Sequence, residues 1–332
     1  MRLPRFEYLR PDSVEEACAM LMDEPTAALA VAGGTDVLVA MKQRISTPRQ
    51  LVRLGGIQGL GAIAARDGTL RIGALATLSE IVESQVVQDR VPLLGQAARK
   101  AASPQIRNLA TIGGNLCLSR RCWYYNQSLQ WRKTRSPCLR TGGAECYVVR
   151  GSDECYALHC ADTIPALLAL EANVKLVSIE GERTIPLDGL YSDLGPKATN
   201  LKPGEILTEV LVPYPGSSSC GVYLKHSGRP SIDFPLVGVA VTVRLKKGKE
   251  VCEDARVAVG AACPKPMRLV HGEEVLRGEG LSPAVVSKFV EVATAEVKPI
   301  PYIHSSPGYK RKVVGNLLLE AVEQAWQRAN SV

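Results

Sequence analysis

Residues 106–115 read Ile106-Arg-Asn-Leu-Ala-Thr-Ile-Gly-Gly-Asn115, and an earlier stretch reads Ala32-Gly-Gly-Thr-Asp36. Glycine permits positive φ and lets a ligand phosphate approach the backbone closely. Successive N–H groups in such turns form anion-binding nests. Thr35, Thr111 and Asn115 add side-chain donors beside them. A pair of such turns suits the pyrophosphate of a dinucleotide. Neither matches GxGxxG or the Walker A pattern, which disfavours Rossmann and P-loop sites. A Gly-Gly taken alone is more commonly the mark of a plain tight turn.

Outward from these turns the chain reads as alternating short strands and helices. Arg5–Tyr8 is a candidate strand, and Ser13-Val-Glu-Glu16 a capping box opening a helix to about Met22. Ala27–Ala32 reads as a strand, Val37–Lys42 as a short helix and Gln50–Leu54 as a strand. From Gly56 the pattern changes. Leu70–Leu75 reads as a strand, Leu78–Ser84 and Val91–Ala101 as helices, and Ser103-Pro104 as a loop. Ala161–Leu170 is a candidate helix, followed by strands at Ala172–Ser178 and Ile206–Val212. A Pro/Gly/Ser run at Pro213–Ser219 marks a boundary. Beyond it lie strands near Gly221–His226, Val237–Lys246 and Ala255–Ala261, then helices at Pro283–Val297 and Tyr309–Gln327. In these helices Val285, Phe289, Val292 and Leu317, Leu318, Val322, Trp326 recur at helical spacing and read as core.

Cysteine is distributed unevenly. Of ten Cys, six fall between Cys117 and Cys160, with gaps of 4, 15, 7, 8 and 4 residues. Clustered Cys without a secretory context points to metal binding or redox chemistry rather than structural disulfides. There is no CxxC pair, which weakens a zinc-ribbon reading. Soft thiolates suit zinc or an iron–sulfur cluster, and spacing alone leaves both open. Buried free thiols are the plain alternative. Yet the stretch from Cys122 to Cys155 is too polar and irregular to be core. An ordered loop of that length is uncommon, and a bound metal group would order it.

Composition sets the outer bounds. The chain has 332 residues, 46% hydrophobic and 22% charged, a profile that argues against disorder and low complexity. The length suggests two or three domains. No run of about 18 apolar residues suggests a membrane span. The charged start, Met1-Arg-Leu-Pro-Arg-Phe, has no apolar h-region, which makes the cytoplasm the default expectation. A net charge of +7 permits a nucleic-acid partner. However, the basic residues are scattered, with short clusters at Arg120/Arg121, Lys246/Lys247 and Lys310–Lys312, and no aromatic stripe suits base stacking. A solvated surface, or a docking face for an acidic partner, is the preferred reading. The four His (159, 226, 271 and 304) form no HExxH, and no GxSxG element occurs. Asp162 opens an apolar helix, where an N-cap role is as good a reading as a functional one. Lys225 reads as surface-like on composition.

These motifs, in this order, resemble the FAD-binding subunits of the molybdenum hydroxylases, the flavoproteins of xanthine dehydrogenase and carbon monoxide dehydrogenase type. The resemblance rests on Phe6-Glu-Tyr8, Pro11-Asp-Ser-Val-Glu-Glu-Ala17, Ala32-Gly-Gly-Thr-Asp36, Gln105–Leu116, Asp162 to Leu170, Tyr223-Leu-Lys225 and Val259 to Arg268. It implies an α+β fold: a two-subdomain, PCMH-like FAD-binding domain, followed by a smaller α/β domain of the CO dehydrogenase flavoprotein C-terminal type. The expected divisions are 1–55, 56–215 with a Cys-rich insertion at about 117–160, and 216–332. The resemblance assigns Val31, Ala32, Gly33, Gly34, Thr35, Asp36, Val37, Leu38, Thr111, Gly114 and Asn115 to the pyrophosphate and ribityl region. It places Asp162 near the adenosine or ribityl portion and Lys225 near the isoalloxazine. The chain would hold no catalytic residue of its own.

Most of the family lacks the insertion. It is similar to that of the β subunits of 4-hydroxybenzoyl-CoA reductases, where four Cys hold an extra [4Fe–4S] cluster. That resemblance implies Cys122, Cys138, Cys146 and Cys155 as ligands, with Cys117 and Cys160 as bystanders or exchange candidates. The implied function is electron transfer between an external carrier such as ferredoxin, FAD, the cluster, and partner chains. Those partners would be a molybdenum cofactor-binding large subunit and a [2Fe–2S] small subunit, in a dimer of heterotrimers. The implied reaction is reductive dehydroxylation of 4-hydroxybenzoyl-CoA. A molybdenum aldehyde or N-heterocycle oxidoreductase is the first alternative, and a zinc-stabilised nucleic-acid-binding protein the second.

Overall fold

The computed structural model describes residues 2–216, 219–246, 248, 250–303 and 305–331. Lys247, His304, and Ser217 and Ser218 of the Pro/Gly/Ser run lie outside the described residues. Three sheets organise the molecule. The first is parallel, its strands Glu7–Leu9, Gln50–Arg53 and Ala28–Val31 lying in that spatial order. Alternation on Gln50–Arg53 serves both faces. Leu51 packs with Val31 and Met41, while Val52 packs with Ala17, Cys18 and Leu21. The helix Val14–Asp23 starts where Ser13 accepts a hydrogen bond from the Glu16 N–H. The expected capping box is only half made, because the Glu16 carboxylate accepts instead from the Asp12 N–H at 2.7 Å.

The second sheet is antiparallel, with strands Ile63–Arg66, Thr69–Gly73, Ile206–Pro213, Asn173–Ser178 and Gly181–Pro186 in spatial order. Helices Leu78–Glu83, Pro92–Lys100 and Thr163–Ala169 bury their apolar faces in a core with Leu70, Ile72, Val174, Leu176, Val210 and Val212. A complete capping box, Thr77 with Glu80, starts the first of these helices.

The third sheet has strands Met267–Arg268, Cys252–Gly260, Val237–Leu245 and Ser219–His226, all antiparallel. Eight of the nine residues of Val237–Leu245 are buried, because both sheet faces are covered. Val237, Val239, Val241 and Val243 face helices Pro283–Glu296 and Pro307–Asn330, together with Phe289, Leu318, Val322 and Trp326. Val285, Val292 and Leu317 of the predicted stripes are only partly buried. The opposite face carries Tyr223, Ala240 and Ala258, which join the core of the second sheet. Small residues are needed there. A Cβ on Gly260 would lie 2.8 Å from Cγ of Pro165 in the helix Thr163–Ala169. This contact seats the C-terminal unit on the one before it. No helix among the described residues is long and apolar enough to cross a membrane.

Two expectations need correction. Ser103-Pro104 is not loop: Ser103 caps a one-turn helix, Pro104–Arg107. The second glycine pair is not a turn either. It lies inside the helix Ile112–Leu116, capped by Thr111, whose hydroxyl accepts from the Gly114 N–H at 3.1 Å.

Candidate functional site

The two glycine motifs touch. A Cβ on Gly33 would lie 1.7 Å from the carbonyl oxygen of Leu109, so only glycine lets the first turn settle against the chain entering the second motif. Gly34 has φ +72°, the left-handed region that glycine adopts without strain. In the second motif Gly113 serves close approach, since its Cβ would lie 2.8 Å from Ala74. The N–H groups of Ile112 and Gly113 donate to the carbonyls of Ala76 and Ala74. Those of Gly33, Gly34, Thr35 and Asp36 have no acceptor among the described residues. The first turn therefore presents a row of free donors next to the capped start of the second motif, a donor set that fits a pyrophosphate. Val31 ends its strand and is buried, while Val37 and Leu38 open the helix Val37–Lys42. Asn115 Oδ1 accepts from the Thr163 hydroxyl at 2.6 Å, tying this motif to the helix Thr163–Ala169. Asp36 is ion-paired to Arg121, whose guanidinium also stacks on the Phe234 ring at 4.8 Å.

Asp162 and Lys225 depart from the plain readings of a capping side chain and a surface lysine. Asp162 makes no capping hydrogen bond at its helix. Lys225 is buried rather than surface-like, with 6% of its side chain exposed. The two pair at 3.0 Å, and the Tyr223 hydroxyl donates to Asp162 at 2.9 Å. The ammonium group also donates to the carbonyls of Lys100 and Asp233, at 2.9 and 2.8 Å. Burial pushes the Asp162 carboxyl up, opposed by Lys225 and Tyr223. Sequence reasoning missed Tyr223 as the third member of this group. Its period-2 relation to Lys225 on one strand was the available signal.

Cys122, Cys138, Cys146 and Cys155 line one small chamber with Tyr124, Tyr125, Leu139, Arg140, Tyr147 and Ala157. All are free thiols. Cys117 and Cys160 lie outside it: Cys117 packs against the core of the second sheet, and Cys160 bonds to the carbonyl of Leu158. The loop carrying Cys138 and Cys146 is closed by backbone bonds from Gly143 to Cys138 and from Leu139 to Glu145. Another glycine pair, Gly142-Gly143, makes this possible. Gly142 has φ +92°, and a Cβ on Gly143 would lie 1.9 Å from the Pro137 carbonyl oxygen. Burial pushes the Cys122 thiol up to about 11 and raises Cys155 as well. Among the described residues no group of three or more His, Cys, Asp or Glu is drawn in tightly enough for a single metal ion. Four soft thiols around one chamber suit a polynuclear iron–sulfur core by donor chemistry.

Residues 4–215 match the family model described as the FAD binding domain in molybdopterin dehydrogenase, and residues 222–325 match the CO dehydrogenase flavoprotein C-terminal domain. The nicotine 6-hydroxylase medium subunit of Paenarthrobacter nicotinovorans is 30% identical, covering 99% of this chain and 100% of its own. The carbon monoxide dehydrogenase medium chain of Hydrogenophaga pseudoflava is 30% identical, with 98% of each chain covered. Among solved structures, the Hydrogenophaga pseudoflava carbon monoxide dehydrogenase lacking the Mo-pyranopterin moiety superposes with a TM-score of 0.82 at 28% identity, covering 99% of each chain. Fold and sequence together define an FAD-binding flavoprotein, an oxidoreductase component. The chain belongs to the FAD-binding medium-subunit family of the molybdenum hydroxylases.

Proposed function

We propose that this chain is the FAD- and [4Fe–4S]-bearing electron-transfer subunit of a molybdenum hydroxylase-type complex, and that the complex reduces 4-hydroxybenzoyl-CoA. The carrying observation is the chamber: the four Cys that the insertion resemblance selects are the four that line it. The partners would be a molybdenum cofactor-binding large subunit and a [2Fe–2S] small subunit, in a dimer of heterotrimers, with ferredoxin as donor. The chain's residues prepare two sites. The free N–H groups at Gly33–Asp36 and the hydroxyl of Thr111 would orient the pyrophosphate of FAD. Val31, Ala32, Val37, Leu38, Gly114 and Asn115 would frame the same region, with Asp162 near the adenosine or ribityl portion and Lys225 near the isoalloxazine. When bound, FAD supplies chemistry that handles one or two electrons, which suits a junction between carriers. The thiols of Cys122, Cys138, Cys146 and Cys155 would hold the cluster, and the aromatic lining would keep water from it.

A second reading has its own support. The relatives above are named for nicotine and carbon monoxide oxidation, so an N-heterocycle or aldehyde oxidoreductase fits the same architecture. Substrate choice would lie in the large subunit. The test is anaerobic purification of the complex with flavin extraction and iron and sulfide analysis. FAD with about four iron and four sulfide per copy of this chain supports the proposal. Zinc, or no metal, overturns the cluster. Cys138→Ser is expected to lose that iron while retaining FAD, and unchanged iron would overturn the ligand set. Turnover of 4-hydroxybenzoyl-CoA with reduced ferredoxin, compared with aldehydes and N-heterocycles, decides between the two substrates.

A further inference from the structure

Arg120 is fully buried, yet no carboxylate pairs with it among the described residues. Its Nε–H donates to His159 Nε2 at 3.2 Å. Its Nη groups donate to the Gly195 carbonyl at 3.3 Å, to the Ser192 carbonyl, and to the Ser192 hydroxyl at 3.0 Å. Every one of these partners is neutral. His159 stays uncharged because burial and the adjacent Arg120 lower its pKa to about 3. Asp193 acts on Arg120 from farther off, but it is 86% exposed and ion-paired to Lys265 at 3.1 Å.

A buried charge without a counter-ion is strongly unfavourable, so its retention calls for an anion nearby. Arg120 stands two residues before Cys122, and its carbonyl accepts from Arg140, which lines the chamber. Arg140, which is only partly buried, has neutral partners as well. It lines the chamber, donates to the Arg120 carbonyl at 2.8 Å and to the Ser119 hydroxyl at 3.2 Å, and stacks on Tyr125 at 3.8 Å. It too has no carboxylate partner among the described residues. Arg140 therefore stands on the wall of the four-thiol chamber with Arg120 bonded behind it, and the side-chain partners of both are neutral. Four thiolates around an iron–sulfur core make a net anion, which becomes more negative by one charge on reduction.

We propose that Arg120 and Arg140 are positioning residues that act as fixed counter-cations to the cluster held by Cys122, Cys138, Cys146 and Cys155, favouring its reduced state. The inference rests on the cluster reading above. Fixed positive charge in a low-dielectric site stabilises the extra electron more than the oxidised core. The redox step is the gain of one electron, with no bond made or broken.

The experiment is an anaerobic titration of the assembled complex with dithionite, following the reduced cluster by electron paramagnetic resonance, with iron counted per chain. Arg120→Met and Arg140→Gln are each expected to keep about four iron per chain. Each should shift the reduction equilibrium about tenfold toward the oxidised state, equal to about 59 mV for one electron. Arg120→Lys, which keeps the charge, should restore most of the parent potential. Full iron with an unmoved potential overturns the proposal, as does Arg120→Lys moving the potential as far as Arg120→Met. If Arg120→Met does not accumulate, Arg140→Gln, on a partly exposed side chain, decides alone. A parent protein without iron overturns the cluster reading itself, a result the potential measurement cannot be confused with.

Discussion

At Gly33 the absence of one methyl group decides whether two distant motifs can meet. Any Cβ there lies within bonding distance of the Leu109 carbonyl oxygen, and a backbone carbonyl cannot rotate away like a side chain. Gly33→Ala is therefore expected to push the two motifs apart. It should cost about 1–3 kcal/mol of stability by overpacking and lower the FAD content of the purified protein. Thermal unfolding and flavin extraction read both effects, and full flavin content would separate the Gly33–Leu109 contact from cofactor binding. The glycine pairs themselves were legible in the sequence, but their physical reason was only partly so. Positive φ explains Gly34 and not Gly113, which lies in a helix and serves contact with Ala74. The burial of Lys225 was not legible at all. Its carbonyl partners, on Lys100 and Asp233, come from other parts of the chain and leave no local pattern.

Elements followed the same division. The strand Val237–Leu245 and the helix Pro307–Asn330 were readable because burial writes a strong apolar pattern. The strand Gly181–Pro186 was missed because it is an edge strand whose residues, Gly-Glu-Arg-Thr-Ile-Pro, carry only weak apolar alternation. The Cys insertion is the opposite case: its four ligand candidates were legible by resemblance, while its path was not. Between Ser119 and Cys155 its only helix of five residues is Leu129–Lys133, and much of the rest is held by turns and Arg side chains. Such a segment has little apolar burial to hold it without a bound group. Iron chelation under reducing conditions is therefore expected to make residues 119–155 protease-sensitive while the three sheets persist. Limited proteolysis with mass mapping, alongside circular dichroism, checks this. Cleavage that is unchanged by chelation would mean that protein contacts alone order the insertion.

At the scale of the whole molecule, the C-terminal unit is fastened to the FAD-binding unit by a buried polar group as well as by apolar packing. Lys225 stands on the strand Ser219–His226, and Asp162 at the start of the helix Thr163–Ala169. The Lys100 carbonyl comes from the helix Pro92–Lys100. Removing the cation alone, in Lys225→Met, leaves the Asp162 carboxylate buried with Tyr223 as its remaining side-chain donor. Breaking a buried pair this way costs about 3–5 kcal/mol. The loss should also depend on pH, with a definite sign. Burial already raises the Asp162 carboxyl, and removing Lys225 takes away the largest opposing influence, so the folded pKa climbs further above its unfolded value. Between those two values the folded state binds more protons than the unfolded state, so stability falls as pH rises. Lys225→Met is therefore expected to be most destabilised at pH 8 and to recover part of the loss near pH 5, where Asp162 can stay protonated. Asp162→Asn in the same background should remove that pH dependence. Denaturant unfolding at the two pH values, with bound flavin measured in parallel, tests whether this fastening also controls cofactor retention. Equal destabilisation at both would mean that Lys225 acts through its carbonyl contacts rather than as the counter-ion of Asp162.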